Sequence, residues 1–148
     1  MADRDPDSSE AEADGVASPG APRGTVYDWY VRALELLARG DAAAAAQLLE
    51  RAHRDEPDSP AVREALGRAL FDAGRYGEAV VAFEALIARR PDDDYAHFGL
   101  GLALARQGRF EPAVEHLALA AAMRPERSHY VRALRESRAT LRARRGDR

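Results

Sequence analysis

From Thr25 onward, apolar and alanine residues return at three- and four-residue spacing, and no stretch shows the sustained alternation of β-branched residues that a strand requires. The pattern predicts an all-α domain. Before it, the first two dozen residues (MADRDPDSSEAEADGVASPGAPRG) mix Asp, Glu, Ser, Pro and Gly with almost nothing to bury, so disorder is expected from Met1 to about Gly24.

The helical pattern itself repeats. Gly40, Gly74 and Gly108 stand 34 residues apart, and so do Pro57, Pro91 and Pro125. Ala45, Ala79 and Ala113 keep the same step, as do Leu36, Leu70 and Leu104, then Leu49, Phe83 and Leu117, and the pair Gly67 and Gly101. This period reads as a helical hairpin. Each glycine ends a first helix, where a left-handed residue satisfies the last carbonyls, and each proline follows a second helix that it cannot continue. Asp58 with Ser59, and the run Asp92 to Asp94, are candidate caps for the next helix; Pro60 and Pro112 fall where a first-turn proline is tolerated. Small residues at Ala33, Gly67, Gly101, Ala45, Ala79 and Ala113 let paired helix axes approach, with the larger leucines and Phe83 filling the seam around them.

The pattern resembles the tetratricopeptide repeat, whose consensus asks in turn for Trp, Leu, Gly, Tyr, Gly, Ala, an aromatic, Ala and Pro. The third unit reads His97, Leu100, Gly101, Leu104, Gly108, Ala113, Leu117, Ala120, Pro125, and the second reads Arg63, Leu66, Gly67, Leu70, Gly74, Ala79, Phe83, Leu86, Pro91. The first reads Trp29, Arg32, Ala33, Leu36, Gly40, Ala45, Leu49, Ala52, Pro57. Its Arg32 stands where leucine is expected, so a frame burying Tyr30, Ala33 and Leu37 also fits. The resemblance covers Val26 to Pro125 and implies a right-handed superhelical stack of antiparallel hairpins, an α-solenoid of about seven helices. Repeats are expected at about 26–59, 60–93 and 94–127, then a capping helix at about 127–144 with Val131, Leu134 and Leu141 as its apolar stripe, and a frayed basic tail at 145–148.

The same resemblance implies where function sits. In such stacks the first helix of each pair lines a concave groove that accepts an extended or helical segment of another protein. Carried onto this chain, the groove places are Tyr27, Tyr30, Leu34 and Leu37 from the first unit, Glu64, Arg68, Phe71 and Asp72 from the second, and Tyr95, Phe98, Leu102 and Arg106 from the third. The family's two-carboxylate clamp relies on lysines and asparagines, and this chain has neither, so a co-chaperone role is not assigned. Arg68 and Arg106 retain the guanidinium fork that suits one carboxylate.

Composition narrows the rest. With no cysteine, disulfides, thiolate metal sites and a cysteine nucleophile are excluded. His53, His97, His116 and His129 are scattered and not paired at ligand spacing on one helix face; His97 holds the repeat's tryptophan place and the others read as solvated surface. Gly99 and Gly101 lie within a helix and do not form a phosphate loop. No nucleophile with its base, carboxylate pair or metal cluster is visible, so the chain is read as a non-enzyme, with no cofactor, metal or small-molecule substrate expected.

The longest stretch without a charged residue, Tyr95 to Ala105, is too short to span a bilayer, and a cytoplasmic protein is expected. All 22 basic residues are arginine, which points to a GC-rich bacterial source. Six acids face two arginines in Met1–Gly24, sixteen face twelve in Thr25–Pro125, and three face eight in Glu126–Arg148. An acidic body disfavours nucleic acid as a partner, but the arginines from Arg127 to Arg148 keep nucleic-acid or acidic-surface binding as an alternative to the leading reading, a non-catalytic protein-binding adaptor.

Overall fold

The computed structural model describes residues 24–146; nearly all of the N-terminal segment expected to be disordered, and the last two residues of the tail, lie outside the described residues. Among the described residues there are seven helices and no strand: α1 (Val26–Ala38), α2 (Ala42–Asp55), α3 (Pro60–Asp72), α4 (Tyr76–Arg89), α5 (Asp94–Arg106), α6 (Phe110–Met123) and α7 (Ser128–Arg145). Each helix packs on the one before and the one after it. In addition α1 touches α3, α3 touches α5 and α5 touches α7, while α2, α4 and α6 do not touch one another. The first helices of the hairpins therefore crowd together along one side, and the second helices splay along the other. Such a stack of antiparallel hairpins is a helical solenoid.

Local sequence fixes the corners. Gly40, Gly74 and Gly108 have φ of 84°, 81° and 80°. After each, the same two bonds close the helix: in the first hairpin the Asp41 amide donates to the Leu36 carbonyl at 2.8 Å and Gly40 to Leu37 at 3.0 Å, and the pair recurs at Arg75 and Gly74, then at Arg109 and Gly108. A residue with a Cβ resists that left-handed conformation, which is why glycine keeps the period here. The second helices end differently. Glu56, Arg90 and Arg124, each directly before a proline, leave the helical region with φ between −134° and −136° and ψ between 73° and 79°, because the following proline ring disfavours the α conformation in its predecessor.

At the helix starts, Thr25 and Asp28 form a reciprocal capping box on α1, the Ser59 hydroxyl accepts from the Val62 amide at 3.2 Å, and the Asp93 carboxylate accepts from Ala96 at 3.0 Å. Asp58 does not share Ser59's capping role; its carboxylate accepts instead from Arg89 at 2.9 Å.

The core runs unbroken through the hairpins. In α1 the buried residues are Trp29, Ala33, Leu36 and Leu37, so the repeat frame holds there, with Arg32 turned to solvent against Glu35. Leu37, expected in the groove, is thus a core residue, because it lies one step from Leu36 on the stripe that α2 covers. The small residues act as expected. A Cβ on Gly67 would come within 2.8 Å of the Phe83 ring, and one on Gly101 within 2.6 Å of Leu117 Cγ. A third glycine has the same role across the hairpin boundary: a Cβ on Gly99 in α5 would clash with the tip of the same Phe83 ring.

α7 packs on α6 and is pinned at both ends. Tyr130, wholly buried, donates its hydroxyl to Asp94 at 2.7 Å, and burial with that carboxylate beside it drives the phenol well above its ordinary range. At the far end the Arg144 guanidinium donates to the Gly108 carbonyl at 3.0 Å and lies over the Phe110 ring, while Arg145 meets Glu111 at 2.7 Å.

Candidate groove on the first helices

Repeat arithmetic places side chains on the crowded side in columns of equivalent positions: Tyr27, Ala61, Tyr95 and His129; Tyr30, Glu64, Phe98 and Arg132; Leu34, Arg68, Leu102 and Glu136. Two adjoining clefts open along these columns. The first, about 260 Å3, lies between α1 and α3 with α5 at its edge, lined by Tyr30, Leu34, Ala61, Glu64, Ala65, Arg68 and Tyr95. The second, about 140 Å3, lies between α3 and α5, lined by Arg68, Phe71, Asp72, Phe83, Tyr95, Phe98, Gly99 and Leu102. Arg68 and Tyr95 belong to both and join them.

Nine of the expected groove residues thus stand together. Of the other three, Leu37 belongs to the core, and Tyr27 and Arg106 do not line a cleft. Tyr27 is 71% exposed near the start of α1. Arg106 turns back onto its neighbours: its guanidinium sits 5.0 Å from the Phe71 ring centre and 5.6 Å from that of Tyr76, and donates to the Tyr76 hydroxyl at 2.8 Å. Phe71 also meets Tyr76 edge-on at 5.3 Å, so this arginine and its two rings already form a closed stack. Phe98, expected as a free anchor, is half-buried with its ring stacked on Tyr130 at 4.5 Å and His129 edge-on at 5.2 Å. α7 covers the groove there, because its first turn lies directly beyond α5.

The clefts have a charge pattern of their own. Glu64 is half-buried, and burial first, then Asp93 and Asp94 nearby, hold its carboxyl above its usual range, with Arg90 opposing. Arg68 approaches Asp72 only to 3.9 Å and both side chains are partly exposed, a loose pair that leaves the guanidinium fork available. Burial likewise raises the Tyr95 phenol. One end of the groove is therefore acidic and underpaired, the middle carries an arginine, and aromatic rings stand between.

Ala61, Ala65, Phe83 and Gly99 also line the clefts but were not expected there. Ala61 had a signal: it occupies the column of Tyr27 and Tyr95, and the missing ring at that place is what opens the first cleft. Phe83 and Gly99 had none, since only the approach of two hairpins exposes their edge.

The histidines differ from the sequence reading. His97 and His116, on facing sides of the third hairpin, meet through their Nδ1 atoms at 3.0 Å, and His97 Nε2 lies 2.8 Å from the Pro91 carbonyl oxygen. A carbonyl only accepts, so neutral His97 donates from Nε2 and accepts at Nδ1 from His116. His116 is half-buried rather than solvated, and burial first, then His97, lowers its pKa. His53 also departs from a solvated surface: its Nδ1 is buried without a hydrogen-bond partner, and burial lowers its pKa. One repeat earlier, Arg63 stands in the place of His97 and donates to the Pro57 carbonyl at 2.6 Å, so in both units the tryptophan place ties down the proline corner. Among the described residues no three His, Asp or Glu side chains converge as a metal site, and no helix is long and apolar enough to cross a membrane.

Two family models, both described as tetratricopeptide repeat, match residues 65–128 and 36–80. No curated protein matches the chain. Among solved structures, MamA 41-end from Desulfovibrio magneticus RS-1 aligns with a TM-score of 0.73 at 24% identity, covering 82% of this chain and 67% of that one. MamA MSR-1 aligns with a TM-score of 0.71 at 26% identity over 93% of this chain and 84% of that one. YrrB, described as a TPR protein with an unusual peptide-binding site, aligns with a TM-score of 0.70 at 23% identity over 74% of this chain and 57% of that one. The chain thus spans about two thirds of the first of these structures and little more than half of the last.

Proposed function

The chain belongs to the tetratricopeptide repeat family, a fold of protein-interaction modules, and from that premise we propose that it is a non-catalytic, cytoplasmic adaptor that holds a segment of a partner protein along α1, α3 and α5. The observation that carries this reading is the pair of clefts joined through Arg68 and Tyr95, continuous across three first helices and edged by aromatic rings. Tyr and Phe give large contact area at low ordering cost, which suits a partner offering apolar anchors. Arg68 favours a carboxylate on that segment, and the underpaired Glu64 favours a cation about one turn further along, so the groove sets a direction on its guest. The YrrB structure, described with an unusual peptide-binding site, supports a peptide as the class of ligand at the level of fold.

Affinity capture from the native host extract, comparing wild type with Tyr30→Ala, Arg68→Glu, tests the reading. The variant is expected to lose the captured partner, with each truncated hot spot worth about 2 kcal/mol of binding, while its helical signal is retained. Retention of every partner by this variant would sink the groove reading. Phe98→Ala is the less clean probe, because it also removes a ring on which Tyr130 of α7 rests.

A further inference from the structure

α7 continues the repeat register one unit further. Residues 34 places after His97, Leu100, Gly101, Leu104 and Gly108 are Val131, Leu134, Arg135, Arg138 and Arg142. In the third hairpin that row faces the second helix: His97 bonds to His116 of α6, and Gly101 lies against Leu117 and the Ala113 carbonyl. In α7 the same five residues line an open cleft of about 310 Å3, and no helix among the described residues covers it. Among the described residues no helix stands in the place that α2, α4 and α6 fill in the three hairpins.

The lining says what would fill it. Val131 and Leu134 give the cleft an apolar floor. Arg135, Arg138 and Arg142 rim it, exposed and with no carboxylate partner among the described residues. This contrasts with Arg144 and Arg145, which are spent on Gly108, Phe110 and Glu111. The three free guanidinium groups stand at i, i+3 and i+7, spread over roughly 10 Å of one helix face. Arginine in the row where Gly101 lets α6 come close keeps a guest helix farther out, where ion pairs rather than backbone contact must hold it.

From this row we propose that α7 is a second docking surface, distinct from the groove of the first helices, which takes an acidic amphipathic helix of a partner protein in the position of a missing second helix. Its apolar face rests on Val131 and Leu134, and its carboxylates, spaced by one and two turns, meet Arg135, Arg138 and Arg142. A nucleic-acid backbone would match the charge but gain nothing from the apolar floor, and the rest of the chain, Met1 to Pro125, carries a net negative charge that opposes it.

The full chain is titrated at fixed ionic strength with a fluorescent synthetic peptide of the length of α6, carrying leucines on one helical face flanked by glutamates. Its comparators are the same peptide with lysine for glutamate, a scrambled isomer with no apolar face, and a DNA duplex. The glutamate peptide should bind saturably and more tightly than all three. Arg135→Glu, Arg138→Glu, Arg142→Glu should weaken it by about tenfold or more and shift preference toward the lysine peptide, as reversal of charge-paired contacts does. A milder Arg→Gln set at the same positions tests the point should charge reversal loosen α7. The groove variant Tyr30→Ala, Arg68→Glu should leave the titration unchanged. Equal binding of the scrambled isomer, tighter binding of the duplex, loss of binding through the groove variant, or no saturable binding to any probe would each overturn the proposal.

Discussion

Between α3, α4 and α5 the seam is apolar: the tip of the Phe83 ring lies against both Gly67 and Gly99. One repeat later, between α5 and α6, Leu117 takes the place of Phe83 opposite Gly101, and beside it the two imidazoles of His97 and His116 share a hydrogen bond that continues to the Pro91 carbonyl. Both seams obey the same register, and both close, yet one does so by volume and the other partly by polarity. The first hairpin shows a third solution, with Leu49 where Phe83 stands and Ala65 where Gly99 stands. A larger wedge in one helix has thus been matched by smaller residues in both helices it touches, which is what close packing at organic-crystal density requires.

The sharpest way to break either seam is to overfill it. Gly101→Leu inserts a side chain where Leu117 and the Ala113 carbonyl already stand, and about 3 kcal/mol of stability should be lost, with thermal unfolding falling accordingly. An unchanged melting temperature would mean that the two helices are not packed as described.

The volume match itself is tested by a cycle. Gly99→Ala alone should cost about 1 to 3 kcal/mol, because its Cβ meets the Phe83 ring. Combined with Phe83→Leu, which restores the Leu49 and Ala65 arrangement of the first hairpin, the loss should be clearly smaller than the sum of the two single changes. Strict additivity in denaturant unfolding would show that the ring and Gly99 are not coupled.

The polar seam is read out by pH. The folded pKa of His116 lies below the ordinary 6.5, through burial and then the neighbouring His97, with Glu115 and Glu84 opposing, and His53 is lowered by burial and then by Arg63. Between the folded and unfolded values the unfolded chain binds more protons, so this contribution is complete above about pH 6.5 and is lost as pH falls below it. Melting temperature should therefore drop between about pH 7 and 5 more steeply in wild type than in His53→Gln, His116→Gln. Equal slopes would remove these histidines from the account.

The smallest effect belongs to the corner between the seams. Arg89→Ala deletes an ion pair to Asp58 whose two side chains are mostly exposed, and chemical denaturation should register less than about 1 kcal/mol.

How much of this was legible differs by residue. The glycines at 40, 74 and 108, the prolines at 57, 91 and 125, and the small residues at 67 and 101 show their roles in sequence because each answers a local demand that recurs every 34 residues: a left-handed corner, a helix stop, a close crossing. That nine of the expected residues share the cleft-lining side of the first helices was legible for the same reason, since position in the repeat dictates which side of a first helix they occupy. His116 was not, because its partner lies 19 residues away on another helix and in another phase of the repeat. Phe98 and Arg106 were placed on the correct side but read as free, when Tyr130 and Phe71 already hold them.

By itself the sequence determined the helical class, the period, the corners and the direction each side chain leaves its helix, because all of these follow from backbone conformation and short-range spacing. Only the tertiary structure decided which glycine answers the size of Phe83, which histidine meets which, how far α7 reaches over the clefts, and that no helix among the described residues covers the row beginning at Val131. Those outcomes depend on distances between helices that are neighbours in space through packing, and packing is settled by the joint volume and polarity of residues that no single repeat contains.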